Sequence, residues 1–508
     1  MDLLQPTFLI LYFGILSLMA VIGVHRYMML YLYHKHRHND PQPKRVFPTE
    51  ELPRVTIQLP VFNELFVVDR LIDTVCLMDY PKHLLDIQVL DDSTDETTER
   101  CRRKVEEYRS KGFDIHLLHR EDRTGFKAGA LKEGILSARG EFVAMFDADF
   151  VPPTDFLQKS IHYFSDPKVG LVQSRWGHLN RDYNLLTEIQ SILLDGHLVI
   201  EQVARNRSGR FFNFNGTGGI WRLSTIEEAG GWQGDTLTED LDLSFRAQLK
   251  DWQFIFLKDL VSPAELPIDF NSYKTQQHRW AKGYVQTCRK LLPDILRSKY
   301  PLHVKAEAAL QLTMHWAYML MVILMLLMLP AVTLKIYKSS TWITSLLIDL
   351  PLCLATTTSV FSFYLWSQRE SLDNWAAKIK YLPFTISIGI AMCLSNTKAV
   401  LEAVFGHETP FVRTPKYGVE SKEETIEAKS KYSPLKNVLP IIELSFAIYL
   451  ALAIYAAIIT HRWLSLPFLT LFQFGFMWVG VNSLRDQFRR RRSIPEPIGL
   501  EEQPVQVA

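Results

Sequence analysis

Long apolar stretches stand at the start and in the second half of the chain, on either side of one polar block. The first covers residues 7–33 and is long enough to cross about 30 Å of hydrocarbon. Further apolar stretches occupy residues 309–336, 342–366, 381–404, 437–461 and 464–484. Their length and scarcity of charge predict membrane-spanning helices rather than the core helices of a soluble protein. The stretch 381–404 is the exception, because Asn396, Lys398 and Glu402 lie near its end.

The charges around the first stretch predict how it sits in a membrane. A signal peptide carries positive charge before its apolar run and small residues at its end, whereas only Asp2 precedes this run. A basic cluster at residues 34–38 (HKHRH) follows it instead. Because positive charge collects on the cytoplasmic side, we expect a retained anchor with its N-terminus outside and the following domain in the cytoplasm.

Residues 40–305 have the pattern of a soluble α/β domain. Strand-like runs occupy residues 54–62, 86–92, 114–120, 141–149 and 170–176. Helical patterns alternate with them, as in residues 94–112, which open on a threonine cap and close on Gly112. Alternating strands and helices predict a parallel sheet with helices on its faces. Ligands bind such sheets outside the carboxyl ends of the strands, and acidic residues follow the second and fourth runs.

Composition narrows the possible classes of function. The chain has 508 residues, of which 47% are hydrophobic, so it can bury a large core and also supply membrane spans. Its net charge is +1, and no overall field predicts a nucleic-acid partner. The five cysteines are scattered without a Cys-x-x-Cys pair, which argues against a thiolate metal site and a disulfide framework.

Asp147-x-Asp149 follows the apolar run FVAMF and is a candidate metal and phosphate site. A nucleoside diphosphate is a poor leaving group until its charge is neutralised, and a divalent cation held by carboxylates does so. Since one residue separates the two carboxylates, a bend at the strand end can bring both near one hard cation. Asp92 allows the same interpretation after the second strand. The alternative in both places is a turn or a helix cap, which Ser93 could equally supply at Asp92.

Asp240, in the sequence DTLTEDLDLSFR, is the candidate general base. An acceptor hydroxyl loses a proton as it attacks an anomeric carbon, and one positioned carboxylate can take that proton. The alternative is that residues 238–240 only cap the helix that follows.

Basic and aromatic residues are candidates for binding a diphosphate and a sugar. Gln276 and Arg279 suit contact with a pyrophosphate, since a guanidinium holds phosphate oxygens in a fork. The indole of Trp280 can pack on the apolar face of a pyranose. Lys127, at a predicted helix start, suits a phosphate contact, and the glycines of residues 215–219 suit close approach to a ligand. The alternatives are a core tryptophan with a surface arginine, a solvated lysine and a tight turn.

Seven motifs together carry a resemblance to a known family. In chain order they are PVFNE (60–64), DDS (91–93), KAGAL (127–131), DAD (147–149), FNGTGGIWR (214–222), TED (238–240) and QQHRW (276–280). The set resembles the membrane-integrated family 2 glycosyltransferases, processive β-glycan synthases that include cellulose, hyaluronan and chitin synthases. The segment YKTQQHRWAKG (273–283) looks most like the cellulose-synthase-like mannan and xyloglucan-backbone group. FVRTPK (411–416) is similar to the gating-loop motif Phe-x-Val-Thr-x-Lys of the family, with Arg413 in place of the valine.

The resemblance implies a Rossmann-like α/β GT-A fold for residues 40–305 and an inverting, single displacement at the anomeric carbon. Asp240 is then expected to be the catalytic base, and Asp149 to bind Mg²⁺ or Mn²⁺ beside Asp147. Trp280 is expected to lie under the acceptor sugar. The implied donor-binding residues are Asp92, Lys127, Asp147, Gln276, Arg279, Thr414 and Lys416.

The predicted function is polymerisation of a sugar, from UDP-glucose or GDP-mannose, into a β-linked polysaccharide that is translocated across the membrane. The expected partners are a nucleotide-sugar donor, a growing glycan acceptor and the lipid bilayer. Two other classes stay open, a membrane glycosyltransferase that adds sugar to a lipid acceptor and a non-enzymatic transporter. The first needs neither so many spans nor a sugar-stacking tryptophan, and the second does not explain an α/β domain with ordered carboxylates.

The predicted order of domains is an anchor (1–39), a cytosolic catalytic domain (40–305), a channel-type membrane region (306–485) and a basic cytosolic tail (486–508). If residues 381–404 crossed the bilayer, the gating loop at 405–436 would lie outside, away from the active site. The arginines of the tail would lie outside as well, against the positive-inside tendency. We therefore expect five spans, with 381–404 lying along the cytoplasmic interface. The membrane is expected to be a plasma (inner) membrane or a Golgi-type membrane.

Overall fold

The computed structural model of the chain describes residues 4–333, 354–407, 413–419 and 438–493. Parts of the predicted regions lie outside these residues: 1–3 of the anchor, 334–336, 342–353 and 437 of three spans, 408–412 and 420–436 of the gating loop, and the tail from 494 onwards. Along the described chain, one long helix precedes an α/β domain, and further apolar helices follow it.

Seven strands form one sheet in the α/β domain. They are β1 (Val55–Val61), β2 (Leu85–Asp91), β3 (Ile115–His119), β4 (Phe142–Met145), β5 (Val169–His178), β6 (Gly219–Arg222) and β7 (Gln253–Ala264). Their order across the sheet is β3-β2-β1-β4-β6-β5-β7. The five predicted strands are confirmed, although the fourth ends at Met145 rather than at residue 149.

The prediction of a parallel sheet was wrong at one strand. β1 lies parallel to β2 and β4, and β5 lies parallel to β7, but β6 is antiparallel to both of its neighbours. Gly216 and Gly218 both have positive φ, at 85° and 68°, and they turn the chain just before β6 begins. The sheet is therefore mixed, and its one reversed strand follows the glycine-rich motif directly.

Helices surround the sheet and continue into the apolar region. Those up to residue 333 are α1 (Leu4–His36), α2 (Val68–Cys76), α3 (Thr97–Ser110), α4 (Phe126–Ser137), α5 (Phe156–Ser160), α6 (Leu185–Asp195), α7 (Gln202–Arg207), α8 (Leu223–Glu228), α9 (Glu239–Leu249), α10 (Phe270–Arg297), α11 (Leu302–Thr313) and α12 (Ala317–Thr333). The later ones are Ser359–Ser371, Trp375–Lys378, Leu382–Ala391, Cys393–Val404, Leu439–Ile459 and Leu466–Ser493.

The helix predicted at 94–112 is present but begins later, at Thr97. The predicted cap by Thr94 was wrong, because Glu96 is the residue before the helix and the Thr94 hydroxyl accepts instead from Asn63 Nδ2 at 3.3 Å. The predicted end was correct, since Gly112 follows the helix with a φ of 82°.

Two apolar clusters cover the two faces of the sheet. Alternate residues of β4 point to opposite faces, with Ala144 in one cluster and Val143 in the other. The first cluster packs against α2 and α3, and the second packs against α4 and α7. Met29 and Tyr33, at the end of α1, are fully buried in the second cluster. The first apolar helix is therefore docked directly on the α/β domain.

Four helical segments of the described residues are long and apolar enough to cross a membrane: Pro6–His36, Leu302–Thr333, Trp375–Val404 and Leu439–Ile459. Trp375–Val404 differs from the rest, because 56% of its apolar window is buried within the protein. The corresponding shares for the other three are 11%, 11% and 33%. A helix that contacts protein along most of its length has little surface left for lipid.

A buried ion pair joins α10 to the last two apolar helices. Lys274 Nζ lies 2.6 Å from Glu443 Oε1 and donates to Ser483 Oγ at 2.8 Å. The two charged side chains are only 4% and 0% exposed. Since removal of one partner leaves a buried charge uncompensated, the position of α10 depends on this pair.

Lys274→Met should therefore lower the free energy of unfolding by about 3–5 kcal/mol, because Glu443 is left buried without its partner. Thermal unfolding of the purified protein in one detergent measures the effect as a lower Tm. The control is the double variant Lys274→Met/Glu443→Leu, which removes both charges and should recover most of the loss. A double variant as unstable as Lys274→Met would contradict this account.

Candidate active site

One cavity of about 190 Å³ opens at the carboxyl-terminal ends of β1, β2 and β4. Its walls come from these strand ends, from the starts of α4, α9 and α10, and from residues 413–419. The structure brings all ten candidate residues of the sequence to this cavity: Asp92, Lys127, Asp147, Asp149, Asp240, Gln276, Arg279, Trp280, Thr414 and Lys416. Residues separated by more than three hundred positions thus meet at one place.

The two carboxylates of the DAD motif lie on a turn that follows β4. The Asp147 amide donates to Thr217 Oγ1 at 2.8 Å, and the Phe150 amide donates to Asp147 O at 3.0 Å. Asp147 forms an ion pair with Lys127, whose ammonium also donates to Gly216 O at 2.9 Å. Burial opposes the charge of Lys127, but the carboxylates of Asp147 and Glu239 outweigh it and raise the pKa of the ammonium.

A second lysine neutralises the second carboxylate. Lys416 Nζ lies 2.6 Å from Asp149 Oδ2 and donates to Glu265 O at 3.1 Å. The Glu265 carboxylate accepts the amides of Tyr417 and Gly418, both at 2.8 Å. Sequence reasoning missed Glu265, which lies just beyond β7, a strand that was not predicted. Its hydrogen bonds attach residues 416–418 to the wall of the cavity.

Asp240 lies in the first turn of α9, at the side of the cavity opposite the start of β6. Burial is the main cause that raises its pKa to about 7, and the neighbouring Glu239 carboxylate adds to the rise. A Cβ atom at Gly216 would lie 3.0 Å from Asp240 Oδ2, so the glycine permits this close approach. The Thr238 side chain makes no capping bond to α9, and it faces Thr287 instead at 3.4 Å.

Arginines surround Asp92. Arg120 binds both of its carboxylate oxygens, with distances of 2.8 Å from Nε to Oδ1 and 2.6 Å from Nη2 to Oδ2. The guanidinium of Arg123 lies 3.7 Å from the same carboxylate and 3.3 Å above the ring of Phe62. Sequence reasoning missed both arginines, although the predicted third strand ended on Arg120. The position of that residue at a strand end was the signal that could have found it.

Helix α10 presents Gln276, Arg279 and Trp280 to the cavity. Other side chains of the same helix bind the end of Cys393–Val404. His278 Nε2 lies 3.0 Å from Glu402 Oε2, and Lys282 Nζ lies 3.3 Å from the same oxygen. Helix α10 therefore lies between the cavity and the apolar helices and contacts both.

Another group of possible metal ligands lies away from the cavity. Among the described residues, ligand atoms of Asp86, Asp114 and His116 lie within 4.8 Å of one another. Arg139 and Arg54 already bind Asp114 there, at 2.9 Å and 2.7 Å. Guanidinium groups of two arginines thus already occupy this group, which lies outside the cavity.

Family models match two overlapping parts of the chain. The model described as Glycosyl transferase family 2 matches residues 56–219, and the model described as Glycosyl transferase family group 2 matches residues 142–365. Together these matches include the strands and carboxylates described above.

The chain is also similar to known proteins over most of its length. Glucomannan 4-beta-mannosyltransferase 2 of Arabidopsis thaliana is 35% identical over 423 residues, which cover 79% of this chain and 75% of that protein. Glucomannan 4-beta-mannosyltransferase 1 of Oryza sativa subsp. japonica is 44% identical over 256 residues, which cover 49% of each.

A solved structure has the same fold. The mannosyltransferase PcManGT of Pyrobaculum calidifontis, in complex with GDP-Man and Mn²⁺, matches with a TM-score of 0.52 at 20% identity. The match covers 77% of this chain and 100% of that one. At this level of identity the likeness concerns the fold, and it supports the predicted GT-A architecture. The chain therefore belongs to glycosyltransferase family 2 and is a glycosyltransferase with a GT-A domain, as its motifs predicted.

Proposed function

We propose that this chain transfers hexosyl units from a nucleotide-sugar donor to a growing β-linked glycan, with GDP-mannose as the preferred donor over UDP-glucose. One observation carries the proposal: a carboxyl group with a pKa of about 7 faces the same cavity as two lysine–carboxylate pairs. The names of the plant relatives, which are 4-beta-mannosyltransferases, support mannose as the sugar.

Asp240 is the proposed general base. A carboxylate with an ordinary pKa is too weakly basic to take a proton from a sugar hydroxyl efficiently, whereas a base with a pKa near 7 suits neutral conditions. The rise in pKa caused by burial thus suits the side chain to this role. The proton moves from the acceptor hydroxyl to an Asp240 carboxylate oxygen as the hydroxyl oxygen attacks the anomeric carbon.

The basic residues of the cavity are proposed to bind the donor diphosphate. Lys127 and Lys416 carry positive charge beside Asp147 and Asp149, and Arg279 lines the same cavity. Their charge stabilises the nucleoside diphosphate as it leaves with the bonding electrons. Asp92 is proposed to contact the nucleotide, and Gln276 to contact the pyrophosphate. Thr414, which is close to Lys416 in the chain, is also proposed to bind the donor.

Asp147 and Asp149 fit a divalent cation. Their oxygens are the hard ligands that Mg²⁺ and Mn²⁺ prefer, and both carboxylates already attract a cationic group, the ammonium of a lysine. Asp149, with Asp147 beside it, is therefore the proposed metal ligand. When bound, the cation neutralises charge on the diphosphate.

Trp280 is proposed to lie under the acceptor sugar, where an indole face can stack on a pyranose. Because α10 contacts both the cavity and the apolar helices, we propose that the product glycan leaves past this helix and is translocated across the membrane. The alternative is transfer of a single sugar to a lipid acceptor. The size of the reaction product distinguishes this alternative from polymerisation.

The donor is tested by incubating the purified protein with labelled GDP-mannose or UDP-glucose and sizing the product. We expect incorporation from GDP-mannose into a polymer. Asp240→Asn is the matched control, because its amide keeps the shape but cannot accept the proton, and it should lower turnover by about 10²–10⁴ while nucleotide binding persists. A single-sugar lipid product would favour the alternative, and incorporation from neither donor would overturn the proposal.

The rate should depend on pH through Asp240. Because its pKa is raised to about 7, the carboxyl group is protonated at lower pH and cannot act as a base. At low donor concentration, kcat/KM should rise with pH, reach half its maximum near pH 7 and become level above it, because kcat/KM reports the pKa of the free enzyme. Binding of the nucleoside diphosphate, measured over the same range, serves as the control. A kcat/KM that stays level between about pH 5.5 and 8 would exclude this carboxyl group as the base.

We also propose that residues 381–404 do not cross the membrane and that the α/β domain is cytosolic. Both ends of Trp375–Val404 contact helices of the α/β domain. Near its start, Lys378 Nζ lies 2.7 Å from Glu188 Oε2 on α6, and near its end Glu402 pairs with His278 on α10. A segment with both ends on one domain is expected to remain on one side of the bilayer.

Cysteine labelling in sealed vesicles tests this topology. In a background without the five native cysteines, single cysteines replace Asp373 and Phe405, which flank the segment and are exposed. Leu136→Cys, at a residue that is 85% exposed on the α/β domain, is the reference. All three cysteines should react with an impermeant maleimide from the same side. Reaction of the Phe405→Cys and Asp373→Cys variants from opposite sides would mean that the segment crosses.

A further inference from the structure

Arg413 stands where the gating-loop motif of the family has a valine, and its side chain makes contacts that a valine cannot make. Its Nη1 atom donates to Phe62 O at 3.0 Å and also to Asn63 O. The same nitrogen lies 3.0 Å from Glu64 Oε2. All three acceptors belong to the segment that follows β1, so one side chain ties residues 413–419 to the end of a central strand.

The segment that receives Arg413 is itself held in place. Asn63 has a φ of 54°, in the left-handed region that non-glycine residues rarely adopt. Two hydrogen bonds maintain this conformation: the Asn63 amide donates to Ser93 Oγ, and the Thr94 amide donates to Asn63 Oδ1, both at 2.8 Å. Arg413 therefore binds a backbone that the segment after β2 keeps rigid.

Thr414 directly follows Arg413, so the contacts of Arg413 affect its position. Its side chain lines the donor cavity and is 7% exposed, and its buried hydroxyl has no hydrogen-bond partner among the residues that the structure describes. A buried polar atom without a partner is costly, so it indicates a position prepared for a ligand atom. Lys416 lies on the other side of Thr414 and is bound to Asp149. The contacts of Arg413 and Lys416 thus hold residues 413–416 at both ends. The Thr414 hydroxyl lies between them without a partner among the described residues.

We propose that Arg413 is a positioning residue, which holds Thr414 and Lys416 at the donor cavity through the two main-chain carbonyls of Phe62 and Asn63. This inference rests on the proposed function, since it takes the cavity to bind a nucleotide-sugar diphosphate. An anchor that is formed before the donor arrives reduces the ordering that binding would otherwise require. In the family motif the valine offers no such bonds, so this chain has an additional attachment at the nucleotide end of the cavity.

The two carbonyls, rather than Glu64, are the main acceptors in this anchor. Burial raises the pKa of Glu64 to about 8, against the opposing effect of Arg413, so its carboxyl group is largely neutral at pH 7. Carbonyl groups do not titrate, and their hydrogen bonds persist at every pH of interest. Removal of Arg413 and removal of the Glu64 charge should therefore have unequal effects.

Hydrogen–deuterium exchange of the donor-free protein in detergent tests the anchor. In Arg413→Val, exchange in a peptide that contains Tyr417 and Gly418 should be faster by about tenfold or more, because two hydrogen bonds that resist local opening are lost. Addition of GDP with Mn²⁺ should slow this exchange again. In the active enzyme the KM for the donor should rise several-fold while kcat changes less.

Matched variants make the test specific. Arg222 likewise binds main-chain carbonyls, those of Val169, Phe164 and Asp166, and the carboxylate of Glu141, and Arg222→Val should leave exchange at 413–419 unchanged. Arg413→Lys keeps the charge on a shorter side chain without the planar guanidinium, so its exchange should be intermediate. Glu64→Gln should change the exchange less than twofold, because the carbonyl bonds remain.

An exchange rate in Arg413→Val equal to that of the wild-type protein would overturn the proposal. It would also be overturned if Glu64→Gln accelerated exchange as much as Arg413→Val, because the ion pair with Glu64 would then be the anchor. The exchange is measured without donor or turnover. Faster exchange in Arg413→Val, in a protein that transfers no sugar, would therefore refute the proposed function and leave the anchor intact.

Discussion

The crowding of carboxylates at one end of the sheet is the constraint on which the active site depends. Asp147, Asp149 and Asp240 face one small cavity, where carboxylates repel one another unless a cation is near. Lys127 and Lys416 neutralise the first two by direct ion pairs. Asp240 receives only the more distant influence of Lys127 and Arg279, and burial therefore raises its pKa. The three carboxylates therefore differ in charge environment according to which of them pairs directly with a lysine, and the proposed division of their roles rests on this difference.

Helix α10 connects the cavity to the apolar helices. Trp280 faces the cavity, while Lys274 and His278 of the same helix bind Glu443 and Glu402 on two different apolar segments. Charged groups in such positions are costly unless they are paired, so the pairs restrict how the helix can sit. Contacts on one face of α10 consequently hold in place the side chains that line the cavity on its other face.

Much of the fold could be predicted because local signals agreed with one another. Five strands followed from short apolar runs, and Asp92, Asp147 and Asp149 followed from polar positions at strand ends. Contacts that depend on distant residues could not be predicted in this way. The cap expected at Thr94 failed because its hydroxyl accepts from Asn63, far away in sequence. Glu265 was missed because its role appears only when the amides of Tyr417 and Gly418 reach it.

One of the two strands that the sequence did not predict, β6, positions a turn that contacts two parts of the cavity. Pairing of β6 with β4 fixes the turn before it, where the Gly218 amide donates to Met145 O at 2.8 Å. Within that turn, Thr217 accepts the amide of Asp147, while Gly216 lies against Asp240. One short segment thus contacts both Asp147 and Asp240. Because both contacts come from the same turn, a shift of β6 would move the two aspartates together and leave their separation little changed.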